Sequence, residues 1–225
     1  MEHGFWLDKW ERGEIGFHRE EVHANLMREL EWFEAGQTGH VLVPLCGKSR
    51  DLFFLASRGH RVTGVELSEI ACLALFEREG LVPEHSDLGP FRAWSAGGVT
   101  VLQGDIFELR PEYVPGANRI WDRASMIALP SEMRRAYVSK LRDVMSAQSD
   151  ARMLLNTLEY TPGTGLGPPF NVTDEEVCSS YQDLGVSNVL CDDQSDQIRP
   201  AWRKRGVRSL VVRVYRIGAE AVRVD

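Results

Sequence analysis

Residues 40–66, HVLVPLCGKSRDLFFLASRGHRVTGVE, constrain this chain more than any other stretch. The apolar run 41–45 reads as a strand buried on both faces of a parallel sheet. It stops at Cys46-Gly47, where a glycine lets backbone approach a ligand with no Cβ in the way. Ser49 is placed to N-cap a helix with Leu52, Phe53, Leu55 and Ala56 on its apolar side, ending before Gly59. A second strand, 61–66, closes on Glu66. Strand, glycine turn, helix, strand and terminal carboxylate make the half-site for a nucleoside. The turn admits the ligand, and the carboxylate accepts hydrogen bonds from two vicinal ribose hydroxyls.

The kind of nucleoside is narrowed by what is missing. Gly47-Lys48-Ser49 invites a P-loop reading, but that motif needs a glycine at position 42, which is Leu. Positions 46–51 carry one glycine, so the GxGxxG dinucleotide fingerprint is absent as well. A glycine-poor turn has fewer ways to wrap a pyrophosphate. A nucleoside without phosphates, such as S-adenosylmethionine, fits better. The plainer account is an ordinary βαβ unit with Gly47 as a turn and Glu66 in solvent.

The rest of the sequence narrows the setting. The 225 residues are expected to form a single domain with a substantial core. A net charge of −7 argues against a nucleic-acid backbone as partner, since phosphate binding wants a basic face. Cys46, Cys72, Cys178 and Cys191 show no CxxC and no Cys/His metal spacing, so reduced thiols in a cytoplasmic protein and no metal are expected. No apolar run approaches the ~20 residues of a membrane span, and no signal-peptide core opens the chain.

Residues 1–19 hold Phe5, Trp6, Trp10 and Phe17 among glycines and charges. That is more aromatic than a disordered tail keeps. With Gly4, Gly13 and Gly16 interrupting regular structure, the segment is expected to pack on the body or to act as a mobile cover over a bound ligand. Residues 20–35 carry Val22, Leu26, Leu30 and Phe33 at helical spacing, predicting an amphipathic helix. Beyond Glu66 the pattern predicts a helix capped by Ser68, a long connection over 81–98 with room for a small hairpin, and a strand over 99–102. A strand over 118–121, a helix over 131–145 and a strand over 153–158 follow, then a loop over 163–170. A helix opened by a Thr173/Glu176 capping box comes next, then late strands over 186–190 and 208–217, the last suited to antiparallel pairing. Strands alternating with helices predict an α/β sandwich with ligands at the carboxyl ends of its strands.

Those ends carry Leu45-Cys46-Gly47, Glu66, Asp105-Ile106 and Asp122-Arg123. Glu66 suits the ribose; Asp105 or the backbone of Ile106 suits the adenine edge, with the Ile side chain over its face. Arg123, the one cation of the set, suits a carboxylate or a polar substrate. The plainer accounts are a turn or N-cap for Asp105 and a salt bridge to Asp122 or another acid for Arg123.

The elements Pro44-Leu45-Cys46-Gly47-Lys48-Ser49, Gly64-Val65-Glu66-Leu67-Ser68, Ile120-Trp121-Asp122-Arg123 and Gly167-Pro168-Pro169-Phe170, with Trp6-Leu7-Asp8-Lys9-Trp10 at the start, resemble the thiopurine S-methyltransferase family across nearly the whole chain. The resemblance implies a Rossmann-like class I methyltransferase fold, a mostly parallel seven-stranded sheet with helices on both faces. It implies methyl transfer from S-adenosylmethionine to an aromatic or heterocyclic thiol, and in bacterial relatives to selenium or tellurium compounds, with a small molecule as partner and a monomer as the expected state. It also implies cofactor contacts at Trp10, Leu45, Glu66, Ile106 and Arg123, and substrate contact at Phe17. A further substrate-side arginine is implied near the last strand, where Arg199 and Arg203 both qualify.

A thiolate attacking an activated methyl needs positioning more than covalent help, and alignment contributes roughly 7–11 kcal/mol. No general base is assigned, and Arg123 is expected to favour the acceptor's anion. Two competing readings are an inactive nucleoside-binding module of the same fold and an NAD-type oxidoreductase. Retention of Gly47 and Glu66 argues against the first, and the single-glycine turn against the second.

Overall fold

The computed structural model describes residues 3–161 and 166–219. Among these residues nine strands form one sheet, in the order β3 (Glu84–Leu88), β4 (Phe91–Ala96), β5 (Val99–Gln103), β2 (Arg61–Glu66), β1 (His40–Val43), β6 (Ala117–Arg123), β7 (Arg152–Tyr160), β9 (Leu210–Gly218), β8 (Val186–Asp193). β1, β2, β5, β6 and β7 run parallel in its centre. β9 pairs antiparallel with β7 and with β8. The seven expected strands are all present, and a hairpin of β3 and β4 inside the 81–98 connection adds two at one edge.

The period-2 alternation of the strands splits the core into two layers. Val41, Val43, Val62, Trp121 and Leu154 face α2 (Ala24–Arg28), α3 (Leu30–Glu34), α4 (Asp51–Ser57) and α5 (Glu69–Arg78). Leu42, Val65, Ile120, Met153 and Leu155 face α6 (Ser131–Ser146) and α7 (Asp174–Tyr181). With both faces covered, a ligand has access at the ends of the strands. The chain winds outward from β1 to β2 on one side and to β6 on the other, so the crevice lies at the carboxyl ends of β1 and β6.

Four local expectations are corrected. Residues 3–11 are helical, as α1 (His3–Glu11), with Gly4 inside it; Gly13, at φ +65°, follows its end. The expected helix over 20–35 is two short ones that start at Ala24 and break at Glu29, whose buried carboxylate is drawn to Arg216 of β9 at 2.6 Å. α4 begins at Asp51; Ser49 is not its N-cap residue, but its Oγ accepts from the Asp51 amide at 3.3 Å. Of the Thr173/Glu176 box, the Thr173 half forms, while the Glu176 carboxylate pairs with Arg134. Positions 163–165 of the 163–170 loop lie outside the described residues.

Candidate active site

The turn after β1 is built from residues in unusual backbone conformations. Leu45 has φ +44° and Gly47 φ +53°, and Ala124, just past β6, has φ +67°. Side chains other than glycine's rarely sit there, and such positions persist when the surroundings over-determine them. Here the Cys46 amide donates to Val65 O at 3.0 Å, and the Ser125 hydroxyl donates to Pro44 O at 2.7 Å. The two strand ends that flank the crevice are thus tied to each other. Cys46 is buried beneath the turn, its sulfur so close to β2 that a Cβ on Gly64 would lie 2.5 Å from it.

Glu66 completes the turn. Glu66 is 6% exposed, and its carboxylate accepts from the Gly47 amide and the Ser68 amide, both at 2.8 Å. Burial pushes its pKa up, while these bonds pull it back. Ser68 also caps α5 through Ala71 N. Glu66 is therefore not a solvated strand-end acid; it holds the backbone of the turn. Two carboxylate oxygens offer four lone-pair directions in all, so acceptor capacity remains for a hydroxyl. Asp105 accepts from Phe107 N at 2.9 Å and caps the short 3-10 turn Ile106–Glu108, the plainer of its two expected roles, and Ile106 is buried beside it.

α1 lies over this turn. Trp10 is 7% exposed, and a Cβ at Gly47 would sit 3.3 Å from its indole, so glycine is what permits the approach. Phe17, 37% exposed, meets Trp6 and Trp10 edge-on at 5.6 and 5.7 Å, in the preferred aromatic geometry. The backbone carbonyl of Phe17 accepts from Arg123 Nη2 at 3.2 Å.

Arg123 and Asp122 point to opposite faces of β6, so the expected salt bridge between them does not form. Asp122 is fully buried, accepts from Tyr137 Oη at 2.7 Å and Met126 N at 3.4 Å, and is pushed by burial up to about 6. Arg123 shares its face with Trp121, whose Nε1 donates to Asp51 at 2.8 Å. Burial lowers the Arg123 pKa, and the Asp51 charge opposes that shift.

Several residues here carried no signal as singles in the sequence: Asp51, whose other oxygen accepts from His23 N at 2.8 Å; His23 itself; and Asn25 and Asn156, joined at 2.6 Å. A polar His and Asn at the start of an amphipathic pattern were the one available hint. Arg199 and Arg203 lie on the β8–β9 connection, at the same end of the sheet. Arg203 donates to Ser195 O at 2.8 Å and Ile198 O at 3.3 Å, within its own loop, whereas Arg199 is exposed at the start of α8 (Pro200–Lys204). Among the described residues no cluster of His, Cys, Asp and Glu could hold a metal, and no helix is long and apolar enough to cross a membrane.

The model of the thiopurine S-methyltransferase family matches residues 1–220. The chain belongs to that family. A thiopurine S-methyltransferase of Pseudomonas aeruginosa is 41% identical over 96% of this chain and 98% of its own length. One of Marinobacter nauticus is 39% identical over 93% and 94%. Among solved structures, a Burkholderia thailandensis 1,6-didemethyltoxoflavin-N1-methyltransferase with bound S-adenosylhomocysteine superposes with a TM-score of 0.62 at 18% identity, over 96% of this chain and 87% of that one. A methyltransferase from Anabaena variabilis gives 0.59 at 17% identity, over 96% and 95%. The fold is that of the Rossmann-like class I methyltransferases, the enzyme is an S-methyltransferase, and its cofactor is S-adenosylmethionine. The turn fits that cofactor: glycine at the close approach and a buried carboxylate with acceptor capacity left.

Proposed function

We propose that the enzyme methylates the sulfur of aromatic or heterocyclic thiols, thiopurines among them, and that selenium and tellurium anions can take the same place. The observation that carries this reading is Arg123: a cation at the end of β6, across the switch point from the glycine turn and under the aromatic leader. An anionic acceptor drawn to its guanidinium sits opposite the turn. Glu66, Leu45, Gly47, Trp10, Asp105 and Ile106 hold the cofactor, Glu66 through its remaining lone pairs. Arg123 serves both ligands, Phe17 borders the acceptor, and Arg199, exposed at the start of α8, is the substrate-side arginine. When bound, S-adenosylmethionine supplies a methyl already activated by a sulfonium.

The protein's part is then to align, to favour the thiolate and to exclude water. Arg123 does the second by charge, so no side chain need take a proton from an acceptor already ionised. Trp10 and Phe17 do the third by covering the turn. Labelled methyl transfer to a panel of aromatic thiols tests the reading. Arg123→Lys keeps the charge but loses the planar fork, so kcat/KM should fall, and Arg123→Ala should fall further. Turnover of both at the parent rate would reduce Arg123 to a structural residue.

A further inference from the structure

The acceptor end of the crevice holds a second polar group, on the element that enters α2. His23 is the N-cap of that helix: its backbone amide is fixed by Asp51 at 2.8 Å, and its ring lies 5.7 Å from that of Trp121, on the face of β6 that carries Arg123. Two residues on, Asn25 is bonded to Asn156 of β7, the register partner of Arg123. Residues 23 and 25 therefore straddle the place where Arg123 leaves the sheet.

We propose that His23 is a further acceptor-binding residue, donating one neutral N–H to the anion that Arg123 attracts. This rests on the thiol reading of the site.

The tautomer follows from the cap. Nδ1 accepts from the Asn25 amide at 3.2 Å, so in the neutral ring the proton is on Nε2. No described group accepts from Nε2. The groups acting on the ring are Arg123 of β6, Arg19 of the leader and Asp51 of α4. Burial first, then the two arginines, hold the pKa down at about 4 against the pull of Asp51. At neutral pH the imidazole is thus a donor without charge. The consequence is a division of labour: Arg123 balances the anion's charge, while His23 fixes its direction without adding charge of its own.

The two ring nitrogens can be separated by substitution. His23→Asn keeps an acceptor for the Asn25 amide and is a favoured N-cap, so it should melt with the parent, but it lacks the distal donor. His23→Gln supplies a distal N–H and loses the cap. Binding to protein saturated with S-adenosylhomocysteine should be measured by calorimetry for 4-nitrothiophenolate and for 4-nitrothioanisole, its neutral methylated counterpart. His23→Asn should weaken the thiolate about ten- to a hundredfold, as expected for losing a hydrogen bond to a charged group, and leave the thioether within about twofold. His23→Gln should recover part of the thiolate affinity while lowering the melting point. Equal loss for both ligands would make His23 merely structural, and no loss for either would remove it from the site; each result overturns the proposal. A parent protein that binds neither compound would instead overturn the thiol reading itself.

Discussion

Removing the Glu66 carboxylate should damage the turn and the cofactor site together. Glu66→Ala leaves the Gly47 and Ser68 amides without their acceptor in a place closed to water. An orphaned buried donor costs about 1–3 kcal/mol, so two cost roughly 2–6 kcal/mol. For a chain of this size that corresponds to a fall of about 5–20 °C in Tm. Glu66→Gln is the sharper probe. Its carbonyl can serve one amide, but its NH2 faces the other donor to donor, so it should lose about half as much stability. Both variants also lose the charged acceptor for the ribose, a contact of about 1.5–3 kcal/mol, which weakens S-adenosylhomocysteine binding about ten- to a hundredfold. Melting curves with and without that ligand, read beside calorimetric titrations, separate the two losses. A Glu66→Gln protein that melts and binds like the parent would refute the reasoning, because it would mean that the carboxylate neither holds the turn nor meets the ligand.

Gly64→Ala should lower stability by about 1–3 kcal/mol by overpacking, since its Cβ would lie 2.5 Å from Cys46 Sγ and 3.0 Å from Leu52 Cδ2; adding Cys46→Ala should recover part of the loss in a double-mutant cycle of melting points. Asp122 has a folded-state pKa raised from 3.8 to about 6, so its stabilising contribution is complete below about pH 4 and is lost as pH rises through 6; urea titrations should show up to ~3 kcal/mol of this slope, absent in Asp122→Asn. Amide exchange across residues 5–17 should slow when S-adenosylhomocysteine is added; equal protection with and without it would make the leader fixed packing and not a cover.

What could be read from the sequence was whatever is periodic or local. β2 appeared with its observed bounds because a buried parallel strand is a bounded apolar run, and α5 because Ser68 is a strong cap. Elements set by distant partners were not legible. The break at Glu29 depends on Arg216, 187 residues away. β3, by contrast, has a local partner: room for a hairpin over 81–98 was legible, but EHSDL is exposed throughout and ordered by pairing with β4, so no alternation marks its bounds. The site divides in the same way. Gly47, Glu66 and Arg123 could be placed because strand ends converge in this fold, whereas Asp51, His23 and Asn156 gain meaning only from neighbours far along the chain. Asp122 and Arg123 were separable in principle, since adjacent strand residues face opposite ways, but the strand was expected to stop at 121 and it continues through Arg123. Trp10 shows the limit of composition as a guide. Four aromatics among glycines left packing on the body and a mobile cover both open and pointed to no regular element, yet residues 3–11 form a helix, and Trp10 is buried deeply enough that Trp10→Ala must cost stability even without ligand.

That burial bears on how the leader can work. One helix and the turn after it touch both halves of the crevice: Trp10 covers Gly47 beyond the end of β1, and Phe17 O takes a donor of Arg123 at the end of β6. The two contacts differ in kind. Trp10 packs by apolar area and shape, which a ligand at the turn can extend but has little reason to break. The Phe17 carbonyl uses a polar donor that an acceptor's negative charge would also claim, and a charged partner makes the stronger bond. An anion at Arg123 therefore competes with the leader at Phe17 while the cofactor reinforces it at Trp10. The residues between Phe17 and His23 carry no helix or strand, and their far end is fixed to Asp51.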